Sequence, residues 1–273
     1  MVKEEKKEDD KKGIGALHDF LGGHSQITKH KEKDEVVRPL RKFDMTNRFH
    51  SGVPGLDNLI SGGFKIGSHQ LIMGGPGTGK TLFAIQFLMQ DIDQFETVVY
   101  FSFEEKKDKL YDEMKQFGWN LSDYEVQKKF YYLNYTPSQI EALLSEGGGT
   151  LDQFMSKIKP TRLVIDSITS FTLLGGDDIQ KRENILAFLN LITKWGCTTL
   201  FTSQHTMGGR VEDESSSFIE YEVDGIILLY FVRKGMLGEG RERKLEILKM
   251  RGTAHQKGAV IFEIGENGVV VGS

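Results

Sequence analysis

His69–Gln90 reads HQLIMGGPGTGKTLFAIQFLMQ, and the fold turns on how this stretch is divided. HQLIMGG is a short, mostly apolar run suited to a strand buried in a sheet. KTLFAIQFLMQDID is apolar nearly all round, which marks a helix packed into that sheet. Between them, Gly74–Thr81, GGPGTGKT, fits G-x-x-x-x-G-K-[ST] at every position, in the strand–loop–helix setting that the motif requires. The glycines let successive backbone N–H groups turn toward a polyphosphate, and the helix offers its positive N-terminal end. The cradle is expected to run through Gly75, Pro76, Gly77, Thr78, Gly79, Lys80, Thr81 and Leu82. Lys80 should reach the β- and γ-phosphates, and Thr81 should place its hydroxyl on Mg²⁺. A nucleoside triphosphate is the expected ligand.

Hydrolysis requires more than a cradle. Mg²⁺ needs an acidic partner at the end of an apolar strand, and RLVIDS supplies Asp166 there; a helix or turn cap is the other use for such a residue. An attacking water must be oriented and relieved of a proton. FSFEE closes another predicted strand with Glu104 and Glu105, at the carboxyl edge where ligands of open α/β sheets collect. If that strand lies beside the P-loop strand, Glu104 adjoins the γ-phosphate. Glu105 either shares the role or begins the next helix, where a carboxylate is favoured. Thr202, Ser203 and Gln204 end a further strand, as γ-phosphate sensors or as plain strand-end caps.

Strands and helices alternate outward from the P-loop. TVVYFSFE reads as a strand, KKDKLYDEMKQFGW as an amphipathic helix ending at Gly118, RLVIDSITS as a strand, and IQKRENILAFLNLITKWG as a helix closed by Gly196. CTTLFTSQH, GIILLYFV, KLEILKM and VIFEI supply further strands. The alternation predicts an α/β fold with a mostly parallel twisted sheet flanked by helices. The closely spaced last strands should add a C-terminal antiparallel extension. Residues 1–43 carry dense charge of both signs and are expected to form a mostly disordered tail, with ALHDFL either a short docking helix or part of a linker; residues 44–273 form the domain.

Composition narrows the function. A net charge of −4 provides no global basic field for coating nucleic acid. No apolar segment follows the opening charges, and IILLYFV is too short to span a bilayer, so a cytoplasmic protein without a leader is expected. Cys197 is the only cysteine, which excludes an intramolecular disulfide and suits core packing.

LEILKMRGTAHQKG, Leu245–Gly258, concentrates Lys249, Arg251, His255 and Lys257. Lys249 and Arg251 are two apart, so a strand would present both on one face. A solvated basic edge that prevents sheet-to-sheet association is the alternative. Taken with SGVPGLDNLISGGFKIGSHQLIMGGPGTGKT, VVYFSFEE, QFGWNL and VIDSITS, this motif resembles the KaiC family of RecA-like P-loop ATPases over about residues 45 to 270. The resemblance implies a homo-oligomer, a six-membered ring in the family's manner, with ATP and Mg²⁺ held between subunits. It also implies that Lys249 and Arg251 point at the γ-phosphate held by a neighbour, while His255, Lys257 and Arg243 meet the nucleoside end. The family's clock member carries two such domains in tandem, so its phosphorylation cycle does not carry over. Single-domain archaeal KaiC-like ATPases are the nearer likeness, and a further protein partner is implied but unnamed.

Two other classes share this chemistry. A RecA-type recombinase paralogue would need basic loops after the RLVIDS and TSQH strands. Thr206–Glu222 instead carries Glu212, Asp213, Glu214, Glu220 and Glu222 against Arg210, which repels phosphates and makes nucleic acid an unfavoured partner. An ATP-dependent autokinase would use Glu104 to deprotonate a hydroxyl; Ser215–Ser217 offers acceptors, although such clusters usually form flexible loop.

Overall fold

The computed structural model describes residues 47–93, 96–172, 177–204, 214–233 and 240–272. The charged tail lies outside these residues, as do residues 205–213 of the stretch around and after TSQH and the start of the one after VIDSITS. In chain order the elements are β1 (Arg48–Phe49), α1 (Leu56–Leu59), β2 (Phe64–Lys65), β3 (His69–Gly74), α2 (Lys80–Met89), β4 (Val98–Ser102), α3 (Lys107–Lys115), α4 (Leu121–Val126) and β5 (Phe130–Asn134). There follow α5 (Pro137–Ser145), α6 (Gly149–Ile158), β6 (Arg162–Asp166), α7 (Ile168–Thr172), α8 (Asp178–Trp195), β7 (Thr198–Gln204) and α9 (Glu214–Glu222), then β8 (Gly225–Arg233), β9 (Arg241–Met250), β10 (Ala259–Gly265) and β11 (Gly268–Val271).

Nine strands form one sheet in the order β11-β10-β9-β8-β3-β7-β6-β4-β5. From β8 to β5 all neighbours are parallel, and β9, β10 and β11 continue antiparallel. Both features of the predicted α/β architecture are therefore present. Two apolar layers sandwich the sheet. Leu82–Leu88 of α2 are buried at every position and pack with α3 and the C-terminal strands on one face. On the other face, Ile140, Leu151, Met155, Phe188 and Ile219 bring in α5, α6, α8 and α9.

Side chains alternate across each strand. Val98 and Tyr100 of β4, Val164 of β6 and Leu200 of β7 face the α2 layer, whereas Val99, Phe101, Leu163, Ile165 and Phe201 face the other. That parity also turns Asp166 and Thr202 toward α2. Gly196 ends α8 at φ 72°, the left-handed closure read from the sequence, and Cys197 is buried beside it.

Four expectations are corrected. RLVIDSITS is a strand only to Asp166; Ile168–Thr172 is helical, because the chain has reached the carboxyl edge and must turn despite its β-branched residues. TVVYFSFE stops pairing at Ser102, after which the Ser102 hydroxyl accepts from the Glu105 N–H at 2.9 Å. The Glu104 strand does not lie beside the P-loop strand, since β7 and β6 intervene. Glu214–Glu222 is a helix rather than a flexible loop. The edge strand β5, FYYLN, was not anticipated. Among the described residues no helix is long and apolar enough to cross a membrane.

Candidate functional site

Gly74 closes β3 where no side chain fits. A Cβ there would lie 2.4 Å from the Leu229 carbonyl oxygen and 2.8 Å from Thr78 Oγ1. The loop then turns through Gly77 at φ 73° and Gly79 at φ 102°, conformations that glycine adopts without strain. Within it, Thr78 Oγ1 donates to the Gly75 carbonyl at 2.9 Å. Gly79 is the N-cap of α2 and supplies no capping side chain, so the first N–H groups of the helix are left for an outside acceptor. Lys80 Nζ donates to the Gly74 and Gly75 carbonyls at 2.8 and 3.0 Å. Burial pushes its pKa below the ordinary 10.5, with Asp166 opposing the shift. Pro76 at the loop's crest and Leu82 in the first turn of the helix complete the predicted stretch.

Asp166, at the end of β6, is the convergence point. Its Oδ2 accepts from Thr81 Oγ1 at 2.8 Å and from the Tyr100 hydroxyl at 2.7 Å, and its Oδ1 accepts from Thr202 Oγ1. Burial, then Asp166 itself, holds the Tyr100 phenol well above its usual pKa, so it remains a donor. Thr202 is therefore neither a bare cap nor aimed at a phosphate. Ser203 shares a 3.2 Å contact with Thr169, and Gln204 is exposed at the strand end. Paired hydroxyl and carboxylate oxygens beside a glycine cradle form a hard donor set that suits Mg²⁺.

Glu104 is exposed just past β4 and accepts a hydrogen bond from Ser170 of α7. It shares the carboxyl edge with Asp166 through the β4–β6 register, in which Ser102 opposes Asp166. Glu105 turns away: its carboxylate pairs with Lys109 at 2.9 Å, one turn along α3. A cleft of about 490 Å³ opens between Gly77, Gly79, Lys80 and Thr81 on one side and Gln116 and Phe117 at the end of α3 on the other. These last two lie in the QFGWNL motif, but nothing in the sequence aims them at the P-loop.

The predicted basic cluster occupies the opposite edge of the sheet. Met250 opposes Gly225, which pairs with Gln70 at the start of β3, while the P-loop leaves from Gly74. Those four residues of strand alone put roughly 13 Å between the two edges. A bulge aims the cations. Lys249 opposes Ile226 and Ile247 opposes Ile227, so Leu248 is left without a cross-strand partner. Leu245, Ile247 and Met250 consequently share the α2-side core, and Lys249 turns toward α9. Lys249 Nζ donates to the carbonyls of Glu220 and Tyr221 at 2.8 and 3.1 Å. Arg251 donates to those of Tyr221 and Glu222 at 2.5 and 3.4 Å. Burial, then the adjacent Arg251, lowers the Lys249 pKa against the pull of nearby carboxylates.

His255 and Lys257 follow in the same turn. That turn is pinned by Gln256 N to the Leu59 carbonyl at 2.8 Å and by Arg48 to Thr253 Oγ1 at 3.0 Å. Arg243 is not brought to this cluster. It opposes Phe231 on β8 and lies 5.1 Å from that ring. Eight residues of antiparallel strand carry it roughly 25 Å from Arg251, so within one chain the two cannot share an anion.

A family model described as "ATPase: KaiC" matches residues 49–273. The UPF0273 protein PH0284 of Pyrococcus horikoshii is 33% identical over 240 residues, covering 83% of this chain and 94% of that protein. The circadian clock protein KaiC3 of Synechocystis is 31% identical over 243 residues, covering 85% of this chain but only 46% of the longer relative. Among solved structures, the KaiC-like protein PH0186 of Pyrococcus horikoshii superimposes with a TM-score of 0.70 at 34% identity, covering 83% of this chain and 99% of that one.

Proposed function

The chain belongs to the KaiC ATPase family, and from that premise we propose that it is a Mg²⁺-dependent ATP hydrolase whose active sites are completed between copies in a ring. The observation that carries the reading is the meeting of Thr81 and Tyr100 on one oxygen of Asp166 beside an uncapped helix start. In this reading the P-loop N–H groups and Lys80 hold the β- and γ-phosphates, while Thr81 and Asp166 hold the ion. Bound Mg²⁺ supplies neutralisation of phosphate charge. Glu104, on the Asp166 side of the carboxyl edge, accepts the proton of the attacking water. Gln116 and Phe117 wall the nucleoside side of the cleft. Glu105, committed to Lys109, is assigned no chemical step.

Lys249 and Arg251 cannot reach the P-loop of their own chain across the sheet, so they act on the triphosphate of a neighbouring copy. There they stabilise the charge that builds on the transferred phosphoryl group. Tyr221 and Leu248, 71% and 50% exposed beside them, are apolar surface that such a contact would cover. A family-like ring of six is the proposed assembly.

Mixing two disabled variants tests the arrangement. Glu104→Gln and Arg251→Ala should each be nearly inactive alone, and together they should recover part of the wild-type turnover through mixed interfaces. Absence of recovery, with both variants folded and assembling, would refute shared sites.

A further inference from the structure

Asp166 is more heavily engaged than a carboxylate waiting for an ion needs to be. Three hydroxyls from three elements reach it: Thr81 from α2, Tyr100 from β4 and Thr202 from β7. An ionised carboxylate has about four lone-pair directions, so about one remains. Thr81 belongs to the proposed ion site itself. Tyr100 and Thr202 do not; they grip one oxygen each from strands that flank β6 on opposite sides.

Tyr100 is 0% exposed. Its ring lies in the α2-side core, 6.0 Å from and nearly parallel to that of Tyr132. A phenylalanine would fill the same space, so packing does not require the hydroxyl. Burying a phenol without a partner is costly, and here the partner is the carboxylate proposed to stand behind the ion.

We propose that Tyr100 is a positioning residue for Mg²⁺, clamping Asp166 jointly with Thr202 so that the carboxylate offers its one remaining direction to the ion's shell. The clamp rests on the Mg²⁺–ATP reading given above. Hydrogen-bond partners of groups around a metal fix the orientation of those groups, and their loss costs about 10- to 100-fold in metal affinity. Tyr100 should thus govern how strongly Mg²⁺ tightens nucleotide binding, while leaving the metal-free affinity alone.

The test measures binding of a non-hydrolysable ATP analogue to wild type and Tyr100→Phe, in excess Mg²⁺ and in EDTA. The variant is expected to match wild type in EDTA and to lose about tenfold of the Mg²⁺-dependent gain. Tyr111→Phe removes a phenol that instead donates to Glu125 and should keep the full gain. Equal gains for wild type and Tyr100→Phe would overturn the clamp while leaving the ATPase reading intact. A wild type that binds the analogue no more tightly with Mg²⁺ would overturn that reading, and the clamp with it. Should Tyr100→Phe fail to fold, Thr202→Val releases the other oxygen and decides the matter by the same comparison: a reduced gain supports the clamp, and an unchanged gain rejects it.

Discussion

At the carboxyl edge of the sheet, Thr81, Tyr100 and Thr202 all donate to Asp166, and Lys80 folds onto the Gly74 and Gly75 carbonyls. At the amino edge, Lys249 and Arg251 donate to neutral carbonyls at the end of α9, and Arg251 lies 4.0 Å from the Asp224 carboxylate, a long and partly exposed pair. The first constellation joins a helix to three strands, and moving any member disturbs the others. The second leans on the last turn of one helix, where a cation gains about 0.3–1 kcal/mol from the dipole. A phosphate offers an arginine far stronger charge-assisted bonds. One edge is thus preassembled, and the other holds its cations where an incoming anion can take them.

The sharpest way to break this contrast is to remove an amino-edge cation. Arg251→Ala should lower turnover about a thousandfold, the scale of a cation supplied in trans, while nucleotide affinity of the isolated chain stays within a few-fold. Steady-state kinetics and analogue binding separate the two, and an affinity loss as large as the turnover loss would place Arg251 in its own chain's pocket. Lys80→Ala tests the other edge. Losing charge-assisted bonds to two phosphates should weaken binding about a hundredfold, in monomer and assembly alike. Retained affinity would move the ligand out of the glycine cradle.

Acidity gives a smaller and graded contrast. Burial lowers the Lys80 pKa below 10.5, so the free site loses its ammonium earlier than an exposed lysine would as pH rises. Analogue affinity should then fall on the alkaline side, by up to about tenfold per pH unit beyond that pKa for a single discharging group. The sign is fixed, because only the protonated lysine attracts phosphate. Lys249 is also lowered by burial, yet Lys249→Arg should leave this alkaline limb of binding unchanged, since the amino edge takes no part in binding by the same chain.

The two edges also differ in how far the sequence disclosed them. The P-loop was legible because its function is written in consecutive residues, Gly74–Thr81, whose spacing is the mechanism. Asp166 followed from its place at the end of an apolar run. Tyr100 lay in plain view within VVYFS but looked like ordinary β-forming filler; a buried phenol needing a partner was the one available signal. Its connection to Asp166 depends on strand order, which no local pattern encodes, and the same ignorance left open whether the Glu104 strand adjoins β3; β7 and β6 intervene. At the amino edge, Lys249 and Arg251 were expected on one face by simple alternation. They do reach one helix end, but through the bulge at Leu248, which let Met250 into the core. Arg243, expected with His255 and Lys257 rather than with this pair, lies eight residues of strand from Arg251, beside Phe231.

Glu104 and Glu105 bring the contrast down to neighbouring residues. Both end the same apolar run and either could serve as a base by composition. Past Ser102 the chain leaves the sheet, and the Glu105 backbone is drawn in: its N–H donates to Ser102 Oγ and its carbonyl accepts from Tyr132. Its carboxylate is thereby directed along α3 to Lys109, whereas Glu104 remains exposed and meets Ser170 beside the Asp166 strand. An exposed i,i+4 pair contributes about 0.3–0.5 kcal/mol, too little to unfold α3 when lost. Glu105→Gln should therefore change turnover by less than about threefold, as that energy converts to little more than a factor of two. Glu104→Gln should cost about a hundredfold or more, the contribution of a positioned general base. Comparing the two turnover numbers at saturating Mg²⁺–ATP decides between them: equal losses would mean that the Lys109 pair opens during the reaction and that the carboxylates share the proton.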